Sequence, residues 1–256
     1  MLDYSTIYSK QTMDSSDGKL SYAQGMLKFG DALAAIGYAY GIHYDKLTSE
    51  FPEVAFNNRF ENVYRDSETN SFVSKYTVQH QIDFIKNNYT RIPKNILEIG
   101  GGRLEVVTFL AELSRQLNVA QTIVVVEPGE YAPSYLVETA RKLFPRTCSI
   151  LPVVNLINKP LHQVTDIDYS KFDTILMVES LEHILAEEFD PCMEQIQQTF
   201  KGHFIVTNWL AYHPIKVGQY APPNVHCRLV NDDLYDNYAT MGNVMHRHNS
   251  HLWIES

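Results

Sequence analysis

A short apolar run that ends in three consecutive glycines is the feature that most constrains the fold of this chain. Asn95–Ile99 has the length of a buried strand, Gly100–Gly102 follow directly, and a helical pattern begins at Glu105. Glycine tolerates the backbone angles of a sharp turn, and its missing side chain lets a ligand approach the backbone. The N-terminus of the next helix offers free N–H groups. This order predicts a ligand site where a strand of an α/β sheet ends.

Strands and helices keep alternating beyond this turn. The further predicted strands are Thr122–Glu127, Ser149–Val154, Phe172–Val178 and His203–Asn208. Helices are predicted over Glu105–Leu117 and Tyr131–Phe144, and from Leu181 past Pro191. This alternation implies right-handed crossovers and a doubly wound, mostly parallel sheet. After a helix at Asn231–Thr240, the runs Asn243–His248 and His251–Glu255 predict an antiparallel C-terminal edge hairpin, which gives a sheet of seven strands.

Residues 1–93 are predicted to form a helical N-terminal extension, and residues 94–256 the catalytic domain. Helices are expected over Ser21–Ile42, where apolar residues recur at roughly helical spacing, and over Ser71–Tyr89. The extension is rich in aromatic residues, which can close a pocket and exclude water. We therefore expect this extension to serve as a lid over the ligand site and to face the substrate.

The charge balance argues against nucleic acid as a partner. The chain has 21 Lys and Arg against 30 Asp and Glu, a formal charge of −9, whereas proteins that bind duplexes usually carry a basic face. The N-terminal residues lack the pattern of a secretion signal, and no apolar run approaches the roughly 20 residues that cross a bilayer. Three scattered cysteines indicate reduced thiols. We expect a cytoplasmic protein without a membrane partner, and a homodimer stays open.

Two carboxylates beside the glycine turn narrow the class of ligand. Glu127 ends the predicted second strand, where an acidic side chain can accept both hydroxyls of a ribose. That arrangement serves nicotinamide dinucleotides and sulfonium nucleosides alike. Glu98, two residues before Gly100, is poorly placed beside a pyrophosphate, because both are anions. Glu105 stands where the dinucleotide fingerprint has Gly or Ala, so a cationic nucleoside is favoured.

Three segments then resemble one family in the order that the family shows them. Ile96–Gly102, with the sequence ILEIGGG, resembles the first motif of the class I S-adenosylmethionine (SAM) dependent methyltransferases. Val124–Glu127 resembles the ribose-binding second strand of that family. Phe172–His183 resembles its fourth strand and the helix after it, with the Leu-Glu-His ending that the small-molecule branch often shows. One departure is Leu104, which occupies the third glycine position of the family.

The resemblance implies SAM as the cofactor. Glu98 would face the methionine ammonium and Glu127 the ribose hydroxyls, while the backbone of Gly100, Gly101 and Gly102 would flank the ligand. The resemblance also implies that Arg103 would face the SAM carboxylate and that Asn155 would contact the adenine amino group. Glu179 and Ser180 would lie near the sulfonium and the methyl group. Asn155 departs from the family in using a carboxamide where Asp is common.

A general base is needed if the acceptor is a hydroxyl, but not if it is an amine that is already neutral when bound. The candidates are His183, whose ordinary pKa lies near ~6.5, and Glu179 and His213. His183 is otherwise interpreted as a packed helix residue. His246, His248 and His251 lack a further ligand to complete a zinc site. We expect no metal there, and interpret these histidines as part of a solvated hairpin.

The function expected from these features is transfer of a methyl group from SAM to an O or N atom of a small-molecule acceptor. Two other functions stay open. One is a nicotinamide-dependent oxidoreductase, which Glu98 and Glu105 oppose. The other is a SAM-binding protein without catalytic activity, since Leu104 departs from the first motif.

Overall fold

The structure is a computed structural model. It describes residues 30–51, 54, 63–66, 71–74, 78–102, 104–130, 132–134, 154–208, 228, 230–248 and 251–256, with the backbone alone for residues 63–66, 71–74 and 78. The helices in these ranges are α1 (Gly30–Ala39), α2 (Tyr44–Glu50), α3 (Val78–Asn88), α4 (Glu105–Leu117), α5 (Ala186–Thr199) and α6 (Asp232–Ala239). The strands are β1 (Val63–Asp66), β2 (Ser71–Ser74), β3 (Asn95–Ile99), β4 (Thr122–Val126), β5 (Val154–Ile157), β6 (Thr174–Val178), β7 (His203–Thr207), β8 (Asn243–His248) and β9 (His251–Glu255).

Seven strands form the main sheet in the order β5-β4-β3-β6-β7-β9-β8. The pairs from β5 to β7 are all parallel, and β9 runs antiparallel to both β7 and β8. The predicted sheet and its C-terminal hairpin are therefore confirmed. From β3 the chain adds strands first on one side and then, from β6, on the other. The carboxyl ends of β3 and β6 thus form a topological switch point, where open α/β sheets bind ligands.

Helices cover both faces of this sheet, because its central strands are apolar on both sides. In β6 every residue is buried; Leu176 and Val178 belong to one hydrophobic cluster, and Ile175 and Met177 to the other. The first cluster includes residues of α1, α3 and α4, and the second includes residues of α5 and α6. This arrangement is the doubly wound fold that uninterrupted apolar strands predict. No helix in the described ranges is long and apolar enough to span a membrane.

The first helix of the N-terminal extension lies on the sheet and reaches its functional edge. Arg91 donates hydrogen bonds to the carbonyls of Tyr38 and Ala39 at the end of α1, over 3.3 and 2.7 Å. At the other end of α1, Oδ1 of Asp31 lies 2.8 Å from Nε2 of His251, which is paired with Thr207 at the end of β7. The N-terminus of α1 therefore lies at the edge where the parallel strands end.

Several predicted boundaries differ from the structure. The helix expected over Ser71–Tyr89 is wrong in its first part, since Ser71–Ser74 pairs antiparallel with Val63–Asp66 and the helix begins at Val78. Aromatic and β-branched residues favour strands, so Phe72 and Val73 suit this pairing. The extension is thus helical only in part. Leu181–His183 is a 3-10 turn, and the α-helix expected there begins at Ala186.

The third parallel strand lies later in the chain than expected. It spans Val154–Ile157, whereas the sequence pattern placed it over residues 149–154. Residues 149–153 and most of the helix predicted over residues 131–144 lie outside the described residues. The register with β4 sets the position, because Val154 pairs with Ile123 and Ile157 pairs with Val126.

Candidate active site

The glycine turn after β3 lies at the switch point and is open to a ligand. Gly100 and Gly102 have φ of 77° and 54°, in the left-handed region that glycine tolerates. A Cβ atom at Gly100 would lie 2.4 Å from Cβ of Ser180, whereas one at Gly102 would meet no atom within 4 Å. Gly100 is therefore required for close packing, and Gly102 faces open space.

Leu104 continues the turn in a conformation that explains its departure from the family pattern. Its φ of 64° and ψ of 26° are also left-handed, which costs a non-glycine residue roughly 1–2 kcal/mol. Its side chain is completely buried in the first hydrophobic cluster, and such burial contributes a comparable or larger amount. The turn therefore keeps the backbone that glycine favours while using a core side chain.

The carboxylate of Glu127 is held beside the glycine turn. Its Oε2 accepts a hydrogen bond from the N–H of Gly102 over 2.7 Å, and its Oε1 accepts one from Gly129 over 2.8 Å. The side chain of Asn158, which follows β5, donates to the carbonyls of Glu127 and Gly129 over 2.8 and 2.7 Å. These bonds join the ends of three strands, and they orient a carboxylate at the tip of β4.

Glu98 and Glu105 are buried on the sheet side of the turn. Burial raises the pKa of Glu98 well above its ordinary value, and the neighbouring carboxylates of Glu105 and Glu127 raise it further. Oε2 of Glu98 has no hydrogen-bond partner in the part of the chain that the structure describes. An ionised carboxylate in this position is stabilised only if a cation approaches it.

Glu179 and Ser180 are brought against the same turn by β6. The N–H of Glu179 donates to the carbonyl of Thr207 over 2.7 Å, and Oγ of Ser180 donates to the carbonyl of Ile99 over 2.8 Å. Glu179 has a φ of 51°, a strained value for a non-glycine residue. Such strain is concentrated at functional sites. Seven of the predicted site residues thus lie together at one edge of the sheet: Glu98, Gly100, Gly101, Gly102, Glu127, Glu179 and Ser180.

Other predicted residues are placed differently. Asn155 is the second residue of β5, pairs with Val124 and is exposed, so it does not stand at the end of the strand. Asn158 occupies that position, because the strand runs three residues further than predicted. His183 is half-buried, and its Nε2 lies 3.6 Å from Oε1 of Glu182. Arg103 and His213 lie outside the described residues.

The C-terminal histidines are packed against the extension, so the expectation of a solvated hairpin is wrong. His251 is fully buried, with Nε2 against Asp31 and Nδ1 lying 3.3 Å from the hydroxyl of Tyr38. The ring of His246 stacks on Tyr44 at 4.4 Å between centroids. Burial lowers the pKa of His246 to about 3, with smaller contributions from the neighbouring histidines. Across the described ranges, no group of three or more His, Cys, Asp or Glu side chains could hold a metal ion.

Sequence reasoning missed three residues at this edge. Asp31 lies at the start of α1, and Thr207 and Asn208 lie where β7 ends, all of them buried. Only Asn208 carried a usable signal, since it is the polar last residue of a predicted strand and precedes Trp209. Asp31 carried none, because its partner is more than 200 residues away.

No protein-family model matches the sequence, and no curated protein matches it. Among solved structures, an O-methyltransferase family protein from Burkholderia thailandensis matches at 11% identity and a TM-score of 0.48, over 64% of this chain and 51% of its own. The DhpI–SAH complex matches at 13% identity and a TM-score of 0.42, over 90% and 95%. Magnesium protoporphyrin IX methyltransferase (ChlM) from Synechocystis PCC 6803 matches at 12% identity and a TM-score of 0.46, over 70% and 82%.

The chain spans about half of the Burkholderia protein, and an equal share, 51%, of the citrinin polyketide synthase CMeT domain. The strand order and the glycine turn at the switch point belong to the chain itself. The chain therefore has a Rossmann-like, doubly wound fold that ends in an antiparallel hairpin.

Proposed function

We propose that this chain binds SAM at the Gly100–Gly102 turn and transfers its methyl group to an O or N atom of a small-molecule acceptor. The observation that carries the proposal is the hydrogen bond from Gly102 to Glu127 beside open space at the switch point. It sets a carboxylate and bare backbone side by side, which suits a nucleoside that needs hydroxyl acceptors and close approach.

The charge of the site supports a cationic ligand. Three buried carboxylates lie close to the glycine turn. Glu98 precedes the turn in β3, Glu105 follows it at the start of α4, and Glu127 stands at the tip of the neighbouring β4. A pyrophosphate placed there would meet three carboxylates, whereas the sulfonium and ammonium groups of SAM would be attracted by them. The same charges oppose a nicotinamide dinucleotide, which is the competing enzyme function.

The residues of the site fit parts of SAM in a consistent order. Glu127 would accept the ribose hydroxyls, and Glu98 would face the ammonium group. Asn158, bonded next to Glu127, borders the side on which the adenine would lie, and it replaces Asn155 in that role. Glu179 and Ser180 border the side of the methyl group. Residues 94–256 would hold SAM, and the extension over residues 1–93 would contribute Asp31 to the acceptor side.

When bound, SAM supplies an electrophilic methyl carbon: the acceptor lone pair forms the new bond to carbon, and the C–S bond breaks with its electron pair staying on sulfur. The chain contributes alignment and exclusion of water. A hydroxyl acceptor must also lose its proton. We propose His183, Glu179 and His213 as the candidate bases, and His183 is held near Glu182, whose carboxylate can orient its imidazole.

Calorimetric titration of the chain with SAM, S-adenosylhomocysteine and NAD⁺ tests the proposal. We expect both sulfur nucleosides to bind and NAD⁺ to give no heat of binding. Binding of NAD⁺ in place of SAM would overturn the proposal in favour of a dehydrogenase. Binding of SAM without formation of S-adenosylhomocysteine across an acceptor library would favour a SAM-binding protein without catalysis.

A further inference from the structure

Asn208 has a buried carboxamide that makes no hydrogen bond to the residues that the structure describes. It follows β7 directly, is 0% exposed, and neither its Oδ1 nor its Nδ2 has a hydrogen-bond partner within the described residues. Oγ1 of Thr207, the preceding residue, is buried and unpartnered as well. A buried polar group left unsatisfied destabilises the folded chain, because it has lost its hydrogen bonds to water. Native chains rarely retain such groups unless a ligand or water completes them.

The position of Asn208 relates it to the cofactor turn. β6 and β7 are parallel with Val178 paired to Thr207, and the N–H of Glu179 bonds to the carbonyl of Thr207. Glu179 and Asn208 are therefore neighbours just beyond the two strand ends. Ser180 follows Glu179 and abuts Gly100 on the opposite side. Asn208 thus lies one strand away from the glycine turn, on the β7 side of β6.

Acidic side chains lie at the same edge of the sheet. Asp31 on α1 lies near the end of β7, because its partner His251 is paired with Thr207. The hydroxyl of Tyr235 on α6 lies within electrostatic range of Asp31, Glu182 and Glu179, whose carboxylates add to the effect of burial in raising its pKa. An anionic acceptor would be repelled by these carboxylates, and an uncharged or cationic one would not.

We propose that Asn208 and Thr207 form the polar floor of the acceptor subsite, and that this subsite takes an uncharged or cationic small molecule bearing an amide or hydroxyl group. A carboxamide presents a donor and an acceptor side by side, so it pairs best with a group that also donates and accepts. A carboxylate or phosphate can only accept, and it would also meet the acids at this edge of the sheet. This inference rests on the proposed function, because it needs SAM in the neighbouring half of the cleft.

The experiment measures the melting temperature of the complex with S-adenosylhomocysteine in the presence of matched aromatic probes. The uncharged probes are benzamide and benzyl alcohol, and the anionic probes are benzoate and phenyl phosphate. We expect the amide or the alcohol to raise the melting temperature, and the two anions to leave it unchanged. A larger effect of the anions, or no effect of any probe, would overturn the proposal.

Two variants make the experiment specific. Asn208→Leu keeps the volume but removes both polar atoms, so we expect it to weaken probe binding about tenfold or more, ~1.4 kcal/mol. The melting temperature of its ligand-free form should be unchanged or higher, because an unsatisfied group is lost; a purely structural role predicts a lower one. Asn87→Leu, at an exposed position of α3, is the control and should keep probe binding.

The affinity for SAM distinguishes a failure of the proposed function from a failure of the acceptor subsite alone. It should be unchanged in Asn208→Leu, since Asn208 lies outside the cofactor half. If the wild-type chain does not bind SAM, the proposed function fails. If SAM binds and Asn208→Leu retains probe binding, the acceptor subsite alone is contradicted.

Discussion

The backbone N–H of Gly102 donates a hydrogen bond to Oε2 of Glu127 over 2.7 Å. These residues belong to the turn after β3 and to the tip of β4, so the bond closes the floor of the cleft between two parallel strands. Replacing Glu127 removes an anchor for the turn and, at the same time, the proposed acceptor for the ribose hydroxyls. The first prediction follows from this double role.

Glu127→Ala should weaken SAM binding about tenfold or more, which corresponds to ~1.4 kcal/mol. The lost contacts are charge-assisted hydrogen bonds, the stronger kind in proteins. Isothermal titration with SAM measures the change, and Glu194→Ala, at an exposed position of α5, is the matched control. An affinity equal to that of the control variant would remove Glu127 from the site.

Glu98→Gln should make the ligand-free chain more stable at neutral pH and SAM binding weaker. Because the folded chain raises the pKa of Glu98 above the ordinary 4.5, the folded state holds a proton that the unfolded state releases. Stability therefore falls as pH rises above about 4.5 towards the folded pKa. The glutamine variant lacks this loss, since it imitates the protonated carboxyl.

Melting temperatures between pH 4.5 and 8 compare the two chains, and Glu187→Gln, at an exposed position of α5, is the control. SAM binding to the wild-type chain should release a proton, because the cation favours the ionised carboxylate. Titrations in buffers of different ionisation enthalpy detect that release. A wild-type chain that gains stability from Glu98 as pH rises would contradict the assignment.

Acid should destabilise the chain through buried neutral histidines. Burial, followed by the charge of Arg91, lowers the pKa of His203 to about 4, and burial lowers that of His246 to about 3. With folded pKa values below the ordinary 6.5, unfolding takes up protons, so stability is lost as pH falls from 6.5 towards these values.

His246→Phe keeps an aromatic ring against Tyr44 and should flatten the pH dependence of stability by up to one proton. Chemical denaturation at several values of pH measures the slope. The exposed His162 is the matched control, and His162→Phe should leave the slope unchanged. An identical slope in the wild type and in His246→Phe would show that folding does not lower the pKa of His246.

Asp31→Ala should destabilise the chain by about 1–3 kcal/mol, because it leaves Nε2 of the buried His251 without its carboxylate partner. The pair joins α1 to β9, so its loss should loosen the extension before the rest of the sheet. Urea denaturation gives the free energy, and Asp166→Ala, at an exposed position, is the control. A change of less than about 1 kcal/mol would mean that the pair is replaced by other contacts.

The local elements of the core were predictable because their signals lie within a few residues. The strand–glycine–helix order placed β3, the turn and α4 correctly, and Glu98 and Glu127 followed from their spacing to that turn. The hairpin of β8 and β9 was predicted with its observed limits, since two strand-like segments flank a short polar loop. The N-terminal strands were not, because the pattern of Ser71–Ser74 also fits the start of a helix.

The sequence by itself determined the strands β3, β4, β6 and β7, the turn and the acidic side chains beside it, since backbone preference and apolar periodicity act over short distances. Only the tertiary structure decided that Asn158 rather than Asn155 stands by Glu127, because one strand's register depends on its neighbour. It also decided the burial of His251 against Asp31 and the lack of a hydrogen-bond partner for the Asn208 carboxamide among the described residues. These relationships arise from packing between distant segments, which no local pattern encodes.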